Sequence, residues 1–107
     1  MSTHATLIFE QPHVEARIYL HYDGYPSNVK DLLEDFFEWN EYAFKEGTRY
    51  NDAAYLAARF VRFFTDTEGY DGLGIGIGNK DDIGYVYHVK TDNTGHRPIV
   101  EYTEDYH

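Results

Sequence analysis

Apolar and polar positions alternate along the chain with two periods, and the change from one to the other marks the elements. Thr6 to Phe9 is a short apolar run, interrupted by Gln11-Pro12-His13. Glu15 to Tyr22 resumes with strand-like content. Ala16, Ile18, Leu20 and Tyr22 fall on one face, and Arg17, Tyr19, His21 and Asp23 on the other. Two such runs with a connection of about four to five residues predict an antiparallel hairpin. Asp23-Gly24 and Pro26-Ser27 end the second strand, with Ser27 placed to N-cap a helix.

That helix is predicted over Asn28 to Glu46, stopped by Gly47. Val29, Leu32, Leu33, Phe36, Ala43 and Phe44 recur at helical spacing on one side. Asp31, Glu34, Asp35, Glu38 and Glu41 lie opposite, on an arc of roughly a third of the circumference at about 100° per residue. A second helix is predicted over Ala53 to Thr65, capped by Asn51 or Asp52. Its apolar side is Ala53, Leu56, Ala57, Phe60, Val61 and Phe64, and Arg59 and Arg62 on its outer side are placed to pair with acids of the first helix.

After a polar loop over Thr65 to Asp71, the run Gly72 to Gly78 alternates Leu73, Ile75 and Ile77 with glycines. This is a strand with one bare face, open to aromatic rings from a neighbouring strand. Ile83 to Lys90 and Pro98 to Thr103 are two further strands joined by a turn over Asp92 to Gly95, and the tail from Glu104 to His107 is expected to fray. The order β-β-α-α-β-β-β predicts one α+β domain over residues 1–107. Its expected architecture is a single antiparallel sheet of about five strands with both helices packed on one face.

Charge changes this picture more than composition does. Nineteen acids stand against nine bases, a net charge of −10 on 107 residues. That surface repels nucleic acid and anionic membranes and attracts basic partners. The basic residues are scattered, so direct nucleic-acid binding is disfavoured. Eleven tyrosines and seven phenylalanines supply a core and amphipathic surface rings. Cysteine is absent, which excludes disulfides, thiol catalysis and thiolate metal sites and fits a reducing cytoplasm. Neither a signal segment nor a membrane-spanning run is expected.

Little in the sequence carries reaction chemistry. Gly72 to Gly78 follows a helix and lies inside a strand, the reverse of the context a phosphate loop requires. His21 and Asp23, two residues apart on one strand face, are the one pair able to hold a metal or orient a histidine base, with His13, His88 and His96 as remote further ligands. The simpler reading gives Asp23-Gly24-Tyr25-Pro26 to a tight turn and His21 to a local hydrogen bond. No catalytic residue, metal or cofactor is assigned, and the chain is read as a non-enzyme.

The stretch Tyr19-Leu20-His21-Tyr22-Asp23-Gly24-Tyr25-Pro26 resembles a motif of a family of small phage and prophage proteins, in which a helix follows Asp-Gly-Tyr-Pro. Asp52 to Phe60 and Ile83 to Tyr87 are similar to later parts of the same family. The resemblance implies no reaction or ligand. It implies a phage-type setting, in which small acidic proteins act on host defence or transcription machinery.

The expected function is therefore an inhibitor of a host nucleic-acid-binding protein in the host cytoplasm, such as a subunit of a CRISPR effector. Asp31, Glu34, Asp35, Glu38 and Glu41 would mimic nucleic acid, with Asp81 and Asp82 as further members. Binding should then weaken steeply with salt and with lysine at Glu34, Glu38 and Glu41. Two alternatives are a small metal-dependent enzyme or module centred on His21 and Asp23, and a structural or assembly protein that forms homodimers through a tyrosine-rich sheet face of Tyr19, Tyr85 and Tyr87.

Overall fold

The computed structural model describes residues 3–67, 74–80, 82–91 and 94–104. β1 (Ala5–Gln11) and β2 (Val14–Leu20) form the expected hairpin, in register from Ala5 opposite Leu20 to Gln11 opposite Val14. Its turn is tighter than expected, just Pro12 and His13. Proline presets the first turn residue, and His13 takes the left-handed conformation at φ 69°.

α1 (Pro26–Ala43) and α2 (Ala53–Asp66) follow, then β3 (Ile75–Ile77), β4 (Tyr85–Lys90) and β5 (Ile99–Glu104). The order of elements matches the expectation, and Glu104 belongs to β5 rather than to a frayed tail. Leu73, Asp92 and Asn93 and the tail from Asp105 onward lie outside the described residues.

The sheet is mixed, which corrects the all-antiparallel expectation. Its strand order is β3-β2-β1-β4-β5, and β4 runs parallel to β1, from Ala5 opposite Tyr85 to Glu10 opposite Lys90. The reason is topological. β3 takes the free edge of β2, antiparallel to it, and β4 adds beside β1 at the other border rather than beside β3. β3 and β4 then run the same way, and the connection between them has to pass β2 and β1.

That crossing covers the face opposite the helices. Lys80 Nζ lies 5.9 Å above the Tyr19 ring, the Gly84 amide donates to the His4 carbonyl at 2.8 Å, and Ile83 is buried. Ile8 and Tyr19 are consequently buried although they point away from both helices. The bare face of the glycine strand serves as expected: Tyr19 lies across the ladder from Gly76, and Tyr22 and His21 press on Gly74.

Both helices pack on the other face. Ala5, Leu7 and Phe9 of β1, Ile18 and Leu20 of β2, and Tyr87 and Val89 of β4 meet Val29, Leu32, Leu33, Phe36 and Phe37 of α1 and Ala53, Leu56, Ala57, Phe60 and Phe63 of α2. Phe36 is the hub. Its ring centroid lies within 6.4 Å of the rings of Phe9, Phe37, Trp39, Phe60 and Phe63.

α1 begins one residue before Ser27. Tyr25 is its N-cap and Pro26 opens the first turn, where the missing N–H and fixed φ of proline cost nothing. Ser27 is exposed and inside the helix. The helix also ends early, at Ala43, because buried Asn40 turns the chain: its Nδ2 donates to the Thr48 carbonyl at 2.9 Å and its Oδ1 accepts from Arg59 at 3.1 Å.

α2 is held at its start by two acceptors. Asp52 takes the Tyr55 amide at 3.1 Å, and Gln11, from the end of β1, takes the Ala53 amide at 2.6 Å. Arg59 also donates to the Gly47 carbonyl, while Arg62 pairs with Asp66 at 3.6 Å. The expected pairing of Arg59 and Arg62 with acids of α1 is thus replaced, for Arg59, by contacts to Asn40 and the loop after it and, for Arg62, by a pair within α2.

Candidate partner-binding surface

The five predicted carboxylates of α1 divide into two groups. The dividing residue is Arg97, on the connection from β4 to β5. Its guanidinium forks onto Glu41 through Nε and Nη2, the latter at 2.8 Å, and reaches Glu34 Oε1 through Nη1 at 2.7 Å. It also lies 5.8 Å from the centre of the Phe37 ring. Tyr50 donates its hydroxyl to Glu41 Oε2, the same oxygen that accepts from Arg97 Nε. Glu34 and Glu41, seven residues apart on one flank of α1, thereby fasten the helix to the end of the sheet.

Arg97 therefore neutralises part of the expected surface. What remains outward is Asp31, Asp35 and Glu38, all exposed and spaced by four and three residues, which keeps them in one line along the helix. Tyr42, 79% exposed, continues the line. Asp82 stands apart, beside Tyr19 on the opposite face of the sheet, and Asp81 lies outside the described residues.

Lys30, Lys45, Arg49 and Lys80 lie over the rings of Tyr102, Tyr42, Tyr55 and Tyr19, and Arg59 lies 3.7 Å from the centre of the Phe44 ring. Such contacts between a cation and a ring face stabilise the surface modestly.

The Arg97 clasp has electrostatic consequences. Hydrogen bonding from Arg97 holds the Glu41 carboxyl below the usual glutamate range, and the same pairing pushes the Arg97 guanidinium up. A depressed carboxylate stabilises the fold above its unfolded pKa, near 4.3, and that contribution is lost as pH falls through the folded value. Arg97→Ala should cost about 1 kcal/mol at pH 7, since the fork is bidentate but partly in water. In urea unfolding the gap between the two proteins should close as the pH falls below about 4.

Burial raises the pKa of Tyr50 and Tyr87 well above the usual tyrosine value. Their stabilising contribution is complete below an unfolded pKa of about 10 and declines as the pH rises beyond it. Alkaline unfolding accompanied by tyrosinate absorption at 295 nm is the expected sign.

The turn motif is structural in most of its parts. β2 ends at Leu20, so His21 and Asp23 do not share a strand face; Asp23 takes φ 53°, which breaks the alternation. His21 Nδ1 lies 2.6 Å from the Tyr19 hydroxyl, and its ring stacks on His4 at 4.4 Å. Asp23 is exposed, and its carbonyl accepts from Asn28 at 2.8 Å. Among the described residues no three of His, Asp and Glu gather as a metal site.

Gly24 is buried between the Thr3 carbonyl, which takes its amide at 2.8 Å, and the Tyr87 hydroxyl, which donates to its carbonyl at 2.7 Å. Tyr25 caps α1 and Pro26 starts it. The expected tyrosine-rich dimer face does not form: Tyr85 and Tyr87 point to the helix side, and Tyr19 lies on the other face under the β3–β4 crossing.

Arg97 was invisible to sequence reasoning. Its partners lie 56 and 63 residues away, and only the fold of the β4–β5 connection brings them together. Among the described residues no helix is long and apolar enough to cross a membrane. No family model, curated protein or solved structure matches the chain, so the fold and its surface are the only ground for a function.

Proposed function

We propose that this chain is a non-enzymatic acidic accessory protein, of the phage type its turn motif resembles. It binds a basic surface of a host nucleic-acid-binding defence protein and so keeps nucleic acid off it. A subunit of a CRISPR effector in the host cytoplasm is the kind of partner that fits. The observation that carries this reading is the exposed line Asp31, Asp35 and Glu38 on a chain of net charge −10.

Scale narrows the proposal. Asp31 to Glu38 spans about 10 Å of helix at 1.5 Å per residue, whereas duplex DNA carries one charge per roughly 1.7 Å. Three carboxylates over that length suit a compact cationic patch better than a long groove. Glu34 and Glu41 are positioning residues here, because they hold Arg97 and with it the attitude of α1.

The test is competition. The partner captured from host lysate at low salt should release its nucleic acid as this protein is added, and excess nucleic acid should displace this protein in turn. A stable complex holding both at once would refute the mechanism.

A further inference from the structure

Among the described residues β5 forms one border of the sheet, with a neighbouring strand on one side only. The other border, β3, is three residues long, and short edges protect themselves. β5 pairs with β4 over six consecutive residues without a bulge, and neither lysine nor proline interrupts Ile99 to Glu104. Ile99 is 62% exposed on one face and Tyr102 41% exposed on the other. A long, regular and partly apolar edge of this kind is a template for another strand.

We propose that the strand it accepts is β5 of a second copy, antiparallel about a twofold axis through Tyr102. Residues opposite one another in an antiparallel ladder share a face. A twofold axis perpendicular to the sheet, which keeps the helices of both copies on one side, must therefore pass at a residue and not between two. Centring on Glu101 would set that carboxylate against its own copy, and like charges directly opposite are unfavourable.

Centring on Tyr102 pairs the two tyrosine rings, places Val100 against Glu104, and sets Glu101 against Thr103. Glu101 is already held by Lys90 at 3.0 Å, and Lys30 Nζ lies 5.5 Å from the centre of the Tyr102 ring. Charge at the seam is therefore compatible with self-pairing in this register.

Five paired residues at about 3.4 Å each give a seam of about 17 Å, a small contact by the measure of stable interfaces. Self-association in the range of about 100 µM is the expectation that follows. Each chain carries −10, so added salt should strengthen the dimer by screening, whereas it should weaken binding of a basic partner. The dimer uses none of Asp31, Asp35 and Glu38, so either proposal can fail without the other.

Sedimentation of the full chain from about 10 to 300 µM (a range set around that expectation) should show a monomer–dimer equilibrium that tightens with salt. Tyr102→Lys should raise the dissociation constant at least tenfold, with some loss of stability because Tyr102 also packs on the rings of Tyr85 and Tyr87. The absence of native cysteine permits a second readout that does not depend on that variant folding. Mixing Glu101→Cys with Thr103→Cys and adding a short thiol cross-linker should join the two far more efficiently than either alone. Monomer throughout the concentration range, or cross-linking of Glu101→Cys to itself as efficient as in the mixture, would overturn the proposal.

Discussion

Gly24→Ala is expected to destabilise the protein by about 3 kcal/mol, the upper part of the range for overpacking a tight core. A Cβ at this position would lie 2.7 Å from the Ala5 Cβ and 2.8 Å from the Thr3 carbonyl oxygen. Neither obstacle is the far end of a flexible side chain. Relief requires moving the turn off the start of β1, which lengthens the bonds from Gly24 to Thr3 and from Tyr87 to Gly24. Because α1 starts two residues later, the displacement also carries the acidic row. Urea unfolding measures the loss, and Tyr87→Phe provides the comparison. It removes only the donor to a buried carbonyl and should cost about 1–2 kcal/mol. Equal effects for the two variants would mean that Gly24 is needed for a hydrogen bond and not for close approach.

Phe36→Ala should cost more, about 3–5 kcal/mol, the usual range for removing a buried aromatic ring. Phe36 is fully buried and touches rings from β1, α1 and α2 at once. The cavity would open where the helices and the sheet meet. Collapse there requires Phe9 of β1 to move together with Phe60 and Phe63 of α2, two elements far apart in the chain. A loss below about 2 kcal/mol would show that the site closes readily and that Phe36 is not the hub. At about 4–8 °C per kcal/mol for a domain of this size, either substitution is plain in a thermal melt.

What the sequence made legible is local. Periodicity located every strand and helix and chose the helix faces carrying Leu32, Leu33, Phe36, Leu56 and Phe60, because those patterns need only neighbours along the chain. It missed Phe37 and Phe63, which extend the apolar stripe round each helix. Phe37 is buried because Tyr50 and the Arg97 connection cover that flank of α1, a contact from distant sequence. The parallel pairing of β1 with β4 escaped for the same reason: nothing in Ala5–Gln11 names a partner some eighty residues away.

The surface was read less well than the core. Five acids on one arc looked equivalent, and the arginine that sets two of them apart comes from the far end of the chain. This also alters which variants test the function. Lysine at Glu34 or Glu41 would eject Arg97 and disturb the fold, so lost binding in such a variant would say nothing about recognition. Asp31, Asp35 and Glu38 lie outside the clasp and are the informative positions.

The most direct measurement is therefore the affinity of the captured partner for the native chain and for a variant with Asp31→Lys, Asp35→Lys and Glu38→Lys, each titrated in rising salt. The native chain should weaken on the order of tens of fold between 50 and 200 mM salt, as expected for about three released counterions. The variant, with an unchanged melting curve, should bind at least a hundredfold more weakly and show little further salt dependence. Equal affinity of the two proteins at low salt would contradict the account.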